Sequence, residues 1–120
     1  MPTSAAFIDF VTDQLAGLGN VSVRRMFGGA GVYCGGVMFA LVADDTLYFK
    51  TDEGNRSDFD AEGLEPFVYQ SKAGRNTVMS YRRAPERLFE DPDDMRGWAE
   101  KALAAARRAS AQTRKKRRMS

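Results

Sequence analysis

The side chains of this 120-residue sequence with chemical potential fall into four groups. Arg24 and Arg25 precede Gly28, Gly29 and Gly31, a mixture of cations and glycines suited to a backbone nest for a small anion. Cys34 is the only thiol, a nucleophile if a neighbouring base or positive field lowers its pKa. Asp91, Asp93 and Asp94 are closely spaced carboxylates of the kind that hold hard cations. Arg114, Lys115, Lys116, Arg117 and Arg118 form an unbroken cationic run, with Arg107 and Arg108 upstream, that can contact a nucleic-acid backbone without reading bases.

The first three groups have simpler structural explanations. Gly29-Ala30-Gly31-Val32-Tyr33-Cys34 falls short of the G-x-G-x-x-G dinucleotide fingerprint and enters a strand rather than a helix, so bend and hairpin glycines account for it. No histidine exists to activate Cys34, and strand alternation forbids Tyr33 and Cys34 from both facing the core, which makes Cys34 a structural thiol. Asp91 suits a helix cap, with Asp93 and Asp94 in the helix's first turn. One cysteine and no histidine also exclude a disulfide framework and a Cys/His zinc site within one chain. The expectation is therefore no catalytic residue, no cofactor, no metal and no enzyme.

The elements that must position these groups follow from periodicity. Phe7, Phe10, Val11, Leu15 and Leu18 recur at helical spacing after a Thr3 or Ser4 cap, and Gly17 or Gly19 can end that helix. From Val21 to Lys50 short runs of Val, Tyr, Phe, Met and Leu are separated by Gly28-Gly29, Gly35-Gly36 and Asp44-Asp45, which predicts a four-stranded meander. The third strand is apolar on both faces and so belongs in the middle of the sheet. Asp52 is placed to cap a second helix that Gly63 closes and in which Phe59 is the one large apolar residue. Phe67–Tyr69 and Val78–Tyr81 predict a further hairpin around the loop from Ser71 to Asn76. Asp91 and Pro92 open a last helix whose face is Met95, Trp98, Ala99, Ala102, Leu103 and Ala106. The fold class is α+β, two-layer, an antiparallel sheet of five to six strands with helices at both termini and one between the strand groups. The domain spans residues 1–109, and residues 110–120 form a disordered basic tail.

Charge is segregated. Residues 1–100 carry 10 Lys/Arg and 16 Asp/Glu, a net −6, whereas residues 101–120 carry 8 Lys/Arg and no acid, a net +8. An acidic body repels phosphate, so any nucleic-acid contact belongs to the tail, where the absence of interleaved aromatics argues against base recognition. The other role open to the tail is to stay solvated or fold back on the acidic body. The N-terminus lacks the basic region of a secretory signal, and the longest apolar run, Val37–Ala43, is too short for a membrane span. These features predict a cytoplasmic protein with no membrane partner.

RRMFGGAGVY, then YFKTDEGNRSDF, GLEPFVY and MSYRRAPERLFEDPDDMRGWAEKAL, in that order, resemble the TfoX N-terminal domain family over about residues 5–105. The resemblance implies a two-layer domain of helix, antiparallel sheet, helix, hairpin and helix. It implies a non-enzymatic regulatory or protein-interaction module like the N-terminal domain of competence regulators, with an unidentified protein partner and the option of a homodimer. An exposed strand edge or the Phe59 helix would supply the surface. The family offers no catalytic set to carry over. Its better known members continue into a helical second domain where this sequence has the basic tail. The alternative is a nucleic-acid-associated accessory protein acting through Arg114–Arg118.

Overall fold

Ser4 opens the first helix, α1 (Ala5–Leu15), its hydroxyl accepting the Phe7 N–H at 3.2 Å and satisfying one orphan donor of the first turn. The computed structural model describes residues 3–26, 28–70 and 74–119, with only the backbone described at 70, 77 and 114–119. Ile8, Val11 and Leu15 form the buried face of α1. Phe10, expected on that face, is 42% exposed and lays its ring on Phe89 at 5.3 Å between centroids. A single 3-10 turn, Ala16–Leu18, and Gly19 at φ 117° then deliver the chain to the sheet.

Six strands, β1 (Val21–Met26), β2 (Gly29–Cys34), β3 (Val37–Ala43), β4 (Thr46–Lys50), β5 (Pro66–Gln70) and β6 (Asn76–Arg83), form one antiparallel sheet. Their order is β1-β2-β3-β4-β6-β5, so β3 is interior, as its two apolar faces require. Gly35 and Gly36 have φ of 60° and 82°, and Asp44 and Asp45 of 50° and 53°, the left-handed pair that a tight two-residue hairpin needs. Asp45 also ties α1 to the sheet, its Oδ1 accepting the Ser4 N–H at 2.8 Å. Part of the expected Ser71–Asn76 loop, residues 71–73, lies outside the described residues, as does residue 27.

The helix between the strand groups is α2 (Arg56–Ala61), which starts later than an Asp52 cap would place it. Asn55 is the reason. Only 2% exposed, it donates from Nδ2 to the Lys50 carbonyl at 3.0 Å and accepts the Asp52 N–H on Oδ1 at 2.9 Å, fixing a turn ahead of the helix. Gly63 at φ 64° closes α2, with the Leu64 N–H reaching back to the Phe59 carbonyl at 3.0 Å. Phe59 is 1% exposed, edge-on to Trp98 with centroids 4.9 Å apart, so it belongs to the core and not to a docking surface.

The last helix, α3 (Pro92–Met119), opens as the sequence predicts, Asp91 Oδ1 accepting the Asp94 N–H at 3.1 Å. Met95, Ala99, Ala102, Leu103 and Ala106 are buried, and the helix packs on β3 and β4. Small alanines let a helix approach the sheet closely while Met95 fills the remaining gap. The helical backbone continues to Met119, through the segment expected as a disordered tail. Beyond Gly97 the sequence has neither Gly nor Pro and is rich in Ala, Arg and Lys, all good helix formers. Among the described residues, no helix is long and apolar enough to cross a membrane.

The core lies between α1, α2 and α3 on one side and one face of the sheet on the other. Val11, Leu15, Phe59, Leu88, Met95 and Leu103 meet Val32, Cys34, Phe39, Ala40, Val42, Leu47 and Phe49 there. Cys34 is thus a buried structural thiol, with Tyr33 pointing the other way.

Candidate functional site: the open face of the sheet

Directly paired residues on neighbouring strands share a face, so the register assigns the side turned away from the helices. Arg24 pairs with Gly31, Gly31 with Leu41, Leu41 with Tyr48, and Tyr48 with Arg83. One row over, Ser22 pairs with Tyr33, Tyr33 with Met38, and Lys50 with Tyr81. Alternation adds Met26, Met79, Phe67 and Tyr69. All four tyrosines of the chain and three of its six methionines therefore lie on a face that no helix covers.

That face is curled. Met26 and Gly29 of β1 and β2 line the same cleft as Phe67, Tyr69 and Met79 of β5 and β6, although these strands sit towards opposite ends of the sheet. Met38, Leu41 and Ala43 of β3 form its floor. The cleft has a volume of about 150 Å³, and its walls are almost entirely carbon and sulfur. Gly31 makes room for it: a Cβ there would come within 2.9 Å of Met26 Cε and Met38 Sδ and 3.1 Å of Tyr33 Cε1. Phe67 is braced edge-on against Tyr48 at 5.1 Å.

Cations share the open face with the cleft. The Arg24 guanidinium lies over the Tyr33 ring at 5.9 Å and the Lys50 ammonium over the Tyr81 ring at 5.2 Å. Arg83 is paired with Glu86 at 2.9 Å. Burial pulls Lys50 below its ordinary pKa, opposed by Asp52, and pushes Tyr81 up to about 12, reinforced by Tyr33. Tyr48 is raised in the same way, by burial first.

The groups singled out in the sequence are not brought together. Arg24 points to the open face and Arg25 to the opposite one, so they converge on no common anion, and Gly28 instead offers its carbonyl to the Thr3 N–H at 3.1 Å. Asp94 is engaged by Arg87, which also binds Glu62 and stacks over Trp98. Among the described residues, no three His, Cys, Asp or Glu side chains are arranged to hold a metal ion. The side chains of Arg114, Lys115, Lys116, Arg117 and Arg118 lie outside the described residues. A second, wider hollow of about 560 Å³ is polar and is lined by Lys50 and by the Arg108–Asp52 pair, whose two hydrogen bonds of 2.6 and 2.8 Å clamp α3 to the turn before α2. Its groups serve the fold.

The open face itself is not among the groups singled out from the sequence. The signal was the period-two spacing of Tyr48 and Lys50, Phe67 and Tyr69, and Met79 and Tyr81, which places each pair on one side of its strand. The model of the TfoX N-terminal domain family matches residues 13–106. A comparison with curated proteins finds no match.

Proposed function

Because the chain belongs to the TfoX N-terminal domain family, we propose that it is a non-enzymatic regulatory module that holds a protein partner on the open face of its sheet. One observation carries this reading: Tyr33, Met38, Tyr48, Phe67, Tyr69 and Met79 form an apolar face that the chain's own helices leave uncovered. Contiguous apolar surface rimmed by charge marks interaction sites, and tyrosine and methionine are favoured there because they combine large contact area with adaptability. The family is of regulatory type, and the face presents contact surface and cations without a nucleophile–base pair.

The test is site-specific photo-crosslinking in cells. A crosslinker in place of Tyr69 yields a discrete protein adduct, whereas the same group at Glu100, exposed on α3, does not. Met38→Lys, which puts a charge on the floor of the face, removes the adduct. Identical products from both positions, or an adduct insensitive to Met38→Lys, refute the reading.

A further inference from the structure

None of the sixteen acidic residues lies in a strand, while Arg24, Arg25, Lys50, Arg82 and Arg83 do. On the open face this leaves Arg24, Lys50 and Arg83 with no carboxylate among the strand positions. Glu86 answers Arg83 from outside the sheet. Arg24 and Lys50 make no ion pair among the described residues and rest on tyrosine rings instead. Asp52 acts on the Lys50 charge from the same hollow, so the open charge of the face, on a body that is net negative, is that of Arg24.

Arg24, paired with Gly31 and two residues from Met26, adjoins the cleft, whereas Lys50 lines the separate polar hollow with Asp52. Tyr33, under Arg24, meets the same point above Gly31 as Met26 and Met38. Tyr81, under Lys50, sends its hydroxyl to the Met38 carbonyl at 3.5 Å. A cavity of about 150 Å³ with apolar walls accepts one benzene-sized group. A nucleobase or sugar placed there would lose its hydrogen bonds to walls that offer none, whereas an aryl or alkyl group loses nothing. Three methionines give such a group walls that can adjust around it.

We infer that this cleft is a binding site for a small amphipathic carboxylate, its aryl or alkyl part among Met26, Met38, Met79 and Phe67 and its anion against Arg24. The site is a property of the chain alone and does not depend on the partner proposed above. Loss of one reading leaves the other standing.

The experiment uses the full chain labelled at its methionine methyls and titrated with phenylbutyrate, phenylbutanol and phenylbutylamine. Phenylbutyrate shifts the Met26, Met38 and Met79 methyls saturably and leaves that of Met95, fully buried in the core, in place. The alcohol binds about tenfold more weakly, the share expected of a charge-assisted contact, and the amine more weakly again. In the Arg24→Gln variant the carboxylate falls to the alcohol's affinity while the alcohol keeps its own, a pattern that damage to the fold would not produce. Absence of a saturable shift at the three methyls, or equal affinity for acid and amine, overturns the inference. So does an oligothymidylate that moves these methyls at lower concentration than phenylbutyrate, which would make the face a nucleic-acid platform.

Discussion

Gly29 and Gly31 sit two residues apart on β2, neither with a left-handed φ, so a methyl group at each tests packing alone. At Gly29 the new Cβ would lie 2.1 Å from the Val42 carbonyl oxygen, where real Cβ atoms hardly ever come within 3.0 Å. The obstacle is backbone of the central strand β3, so relief requires β2 and β3 to part by about 0.9 Å. Overpacking of this kind costs about 1–3 kcal/mol and occasionally more, set against a gain of about 0.4–1 kcal/mol from the stiffer unfolded chain. At Gly31 the obstacles are the ends of Met26 and Met38, which turn aside cheaply, and the edge of the Tyr33 ring at 3.1 Å, which has only to give slightly. We expect Gly29→Ala to lose about 2–3 kcal/mol and Gly31→Ala to stay within about 1 kcal/mol of the parent. For a domain of this size these correspond to falls in Tm of about 8–12 °C and less than about 4 °C. Urea unfolding followed by the fluorescence of Trp98, the single tryptophan, and by far-ultraviolet circular dichroism measures both. Equal losses at the two positions would refute the packing argument.

Arg108, then the Gly54 N–H, hold the Asp52 carboxyl below the usual carboxylate range against the opposing effect of burial. A depressed native pKa gives stability that is present above the unfolded value and lost as pH falls through the native one. Asp52→Asn therefore lowers the neutral-pH urea midpoint and leaves the acid-pH stability in place, which flattens the acid limb; the change is small because solvent screens this partly exposed pair. Tyr81 has the opposite sense for an acid: raised to about 12, it keeps its proton in the native state when the unfolded chain releases it. Stability falls as pH rises above about 10, and Tyr81→Phe removes that part of the fall while leaving three tyrosines in the absorbance titration. Truncation after Ala109 keeps Arg108 and the whole buried face of α3, so the urea midpoint stays within about 0.5 kcal/mol of the parent. It removes Arg114–Arg118, and with them any salt-sensitive anisotropy change on duplex DNA; binding that survived would assign the nucleic-acid contact to the body.

Much of the fold was legible because local rules and burial agreed. Ser4, Asp91 and Pro92 start their helices where capping chemistry places them, and Gly35-Gly36 and Asp44-Asp45 turn where left-handed backbone is needed. The departures occur where a tertiary contact outweighs a local preference. Asp52 has the chemistry of a cap, but the buried Asn55 and the reach of Arg108 recruit it to the preceding turn. Phe10 has the spacing of a core residue, but Ile8 takes the inward position and Phe10 turns to Phe89. The site was harder to read for a geometric reason. Met26 and Tyr69 are far apart in sequence and on separated strands, and only the curl of the sheet makes them neighbours. Strand order, with β6 inserted beside β4, carries no local signature either.

A simpler account of the cations on the open face is protection of sheet edges, where lysine and arginine discourage pairing with another chain. It serves for Arg24 and Arg25, which lie on the edge strand β1. It fails for Lys50, because β4 is hydrogen-bonded on both sides, to β3 and to β6. Lys50 instead shares the polar hollow with Asp52, whose carboxylate draws its pKa back up against the lowering by burial. Edge protection also leaves open which face a β1 cation takes: Arg25 meets the need from the opposite side, so it does not account for Arg24 lying on the open face beside Gly31 and Met26. A carboxylate in the cleft would account for that choice of face.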